Sequence, residues 1–222
     1  MNKNVLGPIA VQDKRGWKLV INGVEVTTPV EHVALVNSKF GTLEYGLTSG
    51  GYDSWCFSEI GGGGTVIVPN VTIGGKVYVG LVEQSRYTQG GKVWNLPRGF
   101  LGAGENHFGA AVRESEEEIR FNLADRFVEL VGEPGNSNSA FFVTNASSGV
   151  RFFRLMIRED EVEPATDGQP GYVFKQGVLT PQSKAGEQIF RCRFVTLRTA
   201  TRLSDLFTRG GIAMLRDYLD GE

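Results

Sequence analysis

The sequence predicts an α/β fold in which a mixed sheet is held between helices, with a small N-terminal β segment ahead of it. Strand-like segments bounded by turn residues open the chain, beginning with Trp17 to Ile21 and Val24 to Val30 around an Asn22-Gly23 turn. One segment, from Gly99 to Phe121, reads as a glycine turn followed by an amphipathic helix. More strand-like segments and a final helix follow, and the order strands, helix, strands, helix fits helices packed on a mixed sheet.

Taken in order, Val33, Leu35 and Val36 suggest a third strand after the hairpin. The run Gly61 to Gly64 reads as a flexible joint, although glycines also mark tight turns, and it puts a boundary between residues 1–58 and 59–222. Thr65 to Pro69 and Lys76 to Glu83 read as two strands joined by the turn Thr72-Ile73-Gly74-Gly75, and a short strand around Trp94 leads into Leu96-Pro97-Arg98-Gly99. After the helix come strands near Phe127 to Gly132, Arg151 to Ile157 and Ile189 to Leu197, then a helix near Gly211 to Leu219. No internal repeat is visible.

A chain of 222 residues with 41% hydrophobic content can bury a full core in one domain plus a smaller appendage. A net charge of -2 gives no electrostatic footprint for a nucleic-acid polymer. No apolar run approaches the roughly 20 residues that cross a bilayer, and the start lacks a signal-peptide core, so no membrane partner is expected. The two cysteines, Cys56 and Cys192, are too few for a disulfide framework or a zinc site, and a reducing cytoplasm is the simplest setting.

The helix following Gly99 crowds Glu114, Glu116, Glu117 and Glu118 into five positions. Glu114, Glu117 and Glu118 stand at i, i+3 and i+4, so regular helix geometry converges their carboxylates on one face, with Phe108, Ala111, Val112 and Ile119 as an apolar stripe opposite. Like charges at this spacing cost about 0.2 to 0.5 kcal/mol per pair. A hard divalent cation such as magnesium turns that repulsion into attraction, because it prefers carboxylate oxygens and bridges to substrate phosphates. A solvated acidic face is the alternative.

The spacing is more specific than the charge. Gly99, five residues, Glu105, seven residues, Arg113-Glu114, two residues and Glu117-Glu118 resembles the signature of the Nudix hydrolases, G-x5-E-x7-R-E-U-x-E-E-x-G-U, where U is bulky and apolar. Two positions depart from it. Ser115 stands where the family has an aliphatic residue and needs a hydrogen-bond partner, for which a carbonyl one turn back is available. Arg120 stands at the second glycine; a left-handed helix end there forces a residue with a Cβ into that conformation, unless the helix ends differently.

The resemblance implies an αβα sandwich and a metal-dependent pyrophosphohydrolase. Glu114, Glu117 and Glu118 would be ligands of magnesium, or of manganese. Glu105 would complete the cluster, the Gly99 carbonyl would face the metal, and Arg113 would orient a glutamate through its fork. The bound metal would polarise a diphosphate and help generate hydroxide from water.

The flank Val79 to Phe100, VGLVEQSRYTQGGKVWNLPRGF, is similar to the ADP-ribose and nucleotide-sugar pyrophosphatase branch of that family, whose members carry a Glu-Gln-x-Arg-Tyr strand before the Leu-Pro turn. The branch implies a homodimer built through the N-terminal β segment, and a nucleoside diphosphate-linked small molecule as substrate. Arg86 and Arg98 are then contacts to diphosphate or ribose, with a structural pairing to an acid as the alternative for Arg86. Tyr87 and Trp94 either stack on a base or belong to the core. Glu187, just before a late strand, is the candidate general base, with a surface carboxylate as the alternative reading; Glu159, Asp160, Glu161 and Glu163 form a second acidic loop. His107 reads as a solvated or capping residue.

Three functions follow from this pattern. The first is hydrolysis of ADP-ribose or a related nucleoside diphosphate sugar, the second is the same chemistry on NADH, dinucleoside polyphosphates or nucleoside triphosphates, and the third is a domain that binds nucleotide sugars without cleaving them. The strand from Gln84 to Tyr87 favours the first, and the intact glutamate set argues against the third.

Overall fold

The structure, a computed structural model, describes residues 19–21, 24–26, 32–38, 41–47, 53–59, 61, 63–86, 91–121, 123, 128–131, 143–144, 149–179, 189–203 and 205–221; side chains are described for 61, 63–85, 91–121, 123, 128–131, 150–179, 191–203 and 205–221. The chain divides into two compact units, one comprising residues 1–64, 100–106 and 134–150 and the other 65–99, 107–133 and 151–222.

In the first unit, β1 (Leu19–Ile21) and β2 (Val24–Val26) pair antiparallel with Ile21 opposite Val24, the register a two-residue connection requires. Asn22 and Gly23 themselves lie outside the described residues. The expected third strand is β3 (His32–Ser38), followed by β4 (Gly41–Leu47) and β5 (Asp53–Glu59), which the sequence reading did not anticipate.

The boundary between the two compact units falls at the end of the glycine run, after Gly64, and Gly62 lies outside the described residues. Gly63 and Gly64 open the long strand β6 (Gly63–Ile73) and are buried. Gly61 lies so close to Leu101 that a Cβ on it would stand 2.1 Å from the Leu101 carbonyl oxygen. At Gly61 the missing side chain is what allows that close approach.

β6 turns back into β7 (Lys76–Arg86) through Gly74 and Gly75, both at positive φ (55° and 74°), with Ile73 paired to Lys76. Two successive left-handed residues are what a tight hairpin turn demands, and glycine adopts them without a Cβ penalty. β6 runs four residues past the expected Pro69 end, through Thr72-Ile73, whereas β7 begins at Lys76 as expected. β8 (Gly91–Asn95) pairs antiparallel with β7, and β9 (Arg98–Phe100) pairs with β6.

The remaining elements are α1 (His107–Glu114), β10 (Val128–Leu130), β11 (Val143–Thr144), β12 (Gly149–Met156), β13 (Val162–Pro164), β14 (Tyr172–Phe174), β15 (Ile189–Thr196), α2 (Leu197–Leu203) and α3 (Leu206–Asp220). Among the described residues, the order β10-β12-β6-β7-β15-β14-β13, with β8 and β9 attached, makes a nine-stranded sheet, and β11-β5-β4-β3 makes a four-stranded one. In the latter β11 runs parallel to β5, and the other pairs are antiparallel. The second acidic loop is a 3-10 turn over Glu159–Glu161 leading into β13; Glu161 is buried there and accepts the Arg158 N–H.

Successive strand residues point to opposite faces, and that alternation places the helices. Ile67 and Phe153 join Ala111 and Ile119 in one core cluster, on the α1 side of the sheet. Their neighbours Val68 and Phe152 face Gly211 of α3, where a Cβ would come within 3.2 Å and 3.3 Å of them. The two helices therefore lie on opposite faces, and the expected α/β class with helices about a mixed sheet is the one observed. Phe174 fills the centre of the α1-side core, stacked on Phe121 at 5.4 Å and edge-on to Phe194 at 5.0 Å. Such pairs contribute about 0.5 to 1.5 kcal/mol each beyond burial. Cys192 is a free thiol in the same cluster, and burial pushes its pKa up to about 12, so it stays protonated and inert.

Candidate active site

The acidic helix does not keep one periodicity. α1 ends at Glu114, and Ser115–Ile119 continue as a π-helical turn. The wider i→i+5 turn carries Glu114 and Glu118 inward together and leaves Glu116 and Glu117 exposed. One acid face opposite one apolar face was expected; instead the carboxylates divide, two buried and two outside. The apolar stripe holds at Ala111, Val112 and Ile119, which belong to or pack against the core, and fails only at Phe108. Phe108 is exposed, touching Phe153 edge-on, whereas His107, Ala110 and Ala111 are buried, so His107 is not solvated.

Both departures from the signature have a visible accommodation. Ser115 is fully buried, and its hydroxyl donates to the Ala111 carbonyl at 2.7 Å, the carbonyl one turn back. Arg120 takes the left-handed conformation (φ 62°, ψ 35°) and its N–H closes onto the Ser115 carbonyl, so the helix ends as it would with glycine there. Among the described residues it is the one non-glycine at positive φ.

Glu114 packs over the backbone of Gly99. A Cβ placed on Gly99 would lie 1.8 Å from Glu114 Oε1 and 2.3 Å from its carboxyl carbon, so the absence of a side chain at 99 is what makes room for the carboxylate. Arg113 Nη1 donates to Glu114 Oε1 at 2.5 Å and to Glu117 Oε2 at 3.1 Å, one nitrogen serving two glutamates rather than the fork gripping one.

Glu118 is held from two other strands. Its Oε1 accepts from Gln84 Nε2 on β7 at 2.5 Å, and its Oε2 accepts the Arg98 backbone N–H at the start of β9 at 2.9 Å. The Arg98 guanidinium pairs with Asp205 at 2.6 Å and lies 5.0 Å from the centre of the Phe207 ring. Asp205 caps α3 by accepting the Thr208 N–H at 3.0 Å, and the Thr208 hydroxyl accepts the Leu96 N–H. Burial raises the Asp205 pKa, but the Thr208 N–H and the charge and hydrogen bond of Arg98 outweigh it, and the carboxyl sits below its ordinary value.

The other expected site residues are placed as follows. Glu105 belongs to the first unit, where its Oε2 accepts the Gly102 N–H at 2.8 Å. Arg86 is described as the last residue of β7 through its backbone alone, and Tyr87 and Glu187 lie outside the described residues. Trp94 is half-buried, with the Arg191 guanidinium 5.6 Å from its ring centre; Arg191 also pairs with Glu83 and Asp167. Arg193 bonds Asp167 as well, and that bond first, with the Gln169 N–H, holds the Asp167 carboxyl below its ordinary value.

Gln84 and Asp205 are the positions whose contacts sequence reasoning missed. Gln84 stood inside the flank Val79 to Phe100, but in a polar run, Glu83-Gln84-Ser85-Arg86, that gave no sign of which of these side chains would be buried and need a partner. Asp205 preceded a helix with Thr208 three residues on, an N-cap pattern.

Among the described residues, no three His, Cys, Asp or Glu side chains are grouped so as to hold a metal ion as they stand. The donors nonetheless suit a hard divalent cation: two buried carboxylates and a third exposed one on a single turn, and a glycine backbone that only a side-chain-free residue could bring under Glu114. The Arg113 guanidinium now offsets the charge of Glu114 and Glu117.

Helices on both faces of a mixed sheet, with the Glu114 carboxylate seated over Gly99 at a helix end, place the chain in the αβα class of α/β proteins. The NUDIX domain profile matches residues 64–205, and the chain belongs to the Nudix family. Nudix hydrolases generally use divalent metal ions. No curated protein matches the chain in sequence.

Among solved structures, the chain is similar to an ADP compounds hydrolase, at 14% identity over 88% of this chain and 96% of that one with a TM-score of 0.51. That is a likeness of fold. It also matches an Ap4A hydrolase of C. elegans in a binary complex (14% identity, 72% and 98% coverage, TM-score 0.44) and the NUDIX domain of Shewanella oneidensis NrtR complexed with ADP ribose (15%, 71% and 87%, 0.45). No helix among the described residues is long and apolar enough to cross a membrane.

Proposed function

We propose that this protein is a magnesium-dependent pyrophosphohydrolase that cleaves ADP-ribose or a related nucleoside diphosphate sugar into a nucleoside monophosphate and a sugar phosphate. The observation that carries the reading is the seating of the Glu114 carboxylate over Gly99 beside a Glu118 fixed from two strands. Glu114, Glu117, Glu118 and the Gly99 carbonyl would hold the cation, with manganese as a substitute. When bound, it supplies polarisation of the diphosphate and acidifies a water.

The residues of the chain do the rest. Arg86 and Arg98 bind the diphosphate or ribose through their guanidinium groups, and Tyr87 lies against the base. For Arg98 this means that a phosphate oxygen competes with Asp205 for the guanidinium. Glu187 takes a proton from the attacking water; the water oxygen bonds to one phosphorus, the bridging P–O bond breaks, and the second phosphate leaves with its sugar. Support for a nucleotide sugar comes from the sequence from Gln84 to Tyr87 and its similarity to the ADP-ribose branch. We also assign the N-terminal segment, residues 1–58, to pairing of two chains in a cytoplasmic homodimer. Its support is that β3, β4 and β5, joined by β11, form a four-stranded sheet with no hydrogen-bonded strand pair to the nine-stranded one among the described residues.

The test is product analysis with ADP-ribose, other nucleotide sugars, NADH, dinucleoside polyphosphates and nucleoside triphosphates, each with magnesium, manganese or chelator. Metal-dependent AMP and ribose 5-phosphate from ADP-ribose, ahead of the others, is the expected result. Preference for another member of the panel overturns the substrate assignment, and tight binding without cleavage overturns the hydrolase reading.

A further inference from the structure

We infer that Gln84 is a positioning residue for Glu118, fixing the orientation in which that carboxylate meets a divalent cation; the inference rests on the proposed metal-dependent reading. Gln84 is almost fully buried on β7, flanked by β8 through Val93 and by β15 through Ile189. A buried amide is costly unless bonded, and this one spends an N–H on Glu118 Oε1.

The geometry gives that bond a particular role. A carboxylate at the end of a three-bond side chain rotates freely about its last torsion unless both oxygens are held. Arg98 N–H takes Oε2 and Gln84 takes Oε1, so the plane of the Glu118 carboxylate is set by two strands that flank the helix end. The Gln84 bond thus adds a second point of hold, on the oxygen that the Arg98 N–H does not take. Both donors are neutral, so they orient Glu118 without cancelling its charge. Arg113 differs in this respect, because its guanidinium orients Glu114 and Glu117 and opposes their charge at the same time. Groups that orient a metal ligand are worth about 10- to 100-fold in metal affinity or turnover.

The decisive variant is Gln84→Met, which keeps the length and bulk of the side chain and removes the donor. Mn2+ binding is titrated by electron paramagnetic resonance on the full chain without substrate, and kcat and KM are measured on the best substrate of the panel. The expected result is Mn2+ affinity weakened about 10-fold or more, kcat lowered by about 10- to 100-fold and KM little changed, with an unaltered circular dichroism spectrum. A merely structural glutamine would change thermal stability and leave Mn2+ affinity as it was. If Gln84→Met fails to fold, Gln84→Asn carries the test by the same criterion, since it retains an amide but withdraws it from Glu118 by one methylene. Wild-type chain that binds Mn2+ together with a variant of equal affinity and kcat overturns the inference alone. Wild-type chain that binds no Mn2+ overturns the metal-dependent reading and the inference with it.

Discussion

Glu114 and Gly99 are complementary in a literal sense: the carboxylate stands where a side chain on residue 99 would have to be, 1.8 Å from the nearest Cβ position. Nothing about the left-handed region is involved, since Gly99 is not at positive φ among the described residues. The need is for volume. Gly99→Ala is therefore expected to displace Glu114, which is buried and tied to Arg113, and to lower stability by about 1 to 3 kcal/mol as overpacking does. Turnover should fall by about 100-fold or more, as it does when a preorganised charge is moved out of place. Urea unfolding alongside steady-state kinetics checks both, and an alanine variant with wild-type turnover would remove Gly99 from the site.

Glu118→Gln separates charge from shape. The substitution keeps the volume, and its amide oxygen can still accept from either Gln84 or the Arg98 N–H, but its nitrogen meets the other donor. Turnover is expected to drop by about 100- to 1,000-fold with magnesium saturating, while circular dichroism stays unchanged. Near-normal turnover would sink the assignment of Glu118 as a ligand.

These two residues also mark how far the sequence could be read. The spacing from Gly99 to Glu118 announced the family and the turn-helix arrangement, and the hairpins at Ile21-Val24 and Ile73-Lys76 followed from glycine-containing turns. The nine-stranded sheet was legible only in part, because β13 and β14 are three residues each and too short to express a period. The helix end was misread for a different reason. Projecting Glu114, Glu117 and Glu118 onto one face assumes 3.6 residues per turn throughout, whereas the π turn at Ser115–Ile119 rotates Glu117 outward and Glu118 inward. The partners of Arg98 come from Asp205 and Phe207, more than a hundred positions away, and no local pattern links them.

Arg120→Gly is expected to stabilise the chain. The left-handed conformation at φ 62° costs a residue with a Cβ about 1 to 2 kcal/mol, whereas glycine adopts it freely and loses part of that advantage to the greater entropy of its unfolded state. A net gain of about 1 kcal/mol should appear in urea unfolding. A loss instead would mean that contacts of the Arg120 side chain outweigh the backbone strain.

Asp205 gives a pH dependence whose sign can be worked out. Its carboxyl titrates below the ordinary 3.8 in the folded chain, despite burial, because the Thr208 N–H and Arg98 favour the ionised form. Its contribution to stability is therefore complete above the unfolded-state value and is lost as the pH falls through the lower, folded-state one. Asp205→Asn isolates the charge, since asparagine caps a helix about as well as aspartate. At pH 7 the variant should be less stable by about 1 kcal/mol or less, because the pair with Arg98 is partly exposed to solvent. Below the folded-state pKa the difference should vanish. Unfolding midpoints compared at neutral pH and on the acid limb decide the matter: a gap that persists unchanged into acid would show that Asp205 stabilises α3 by shape rather than by its charge.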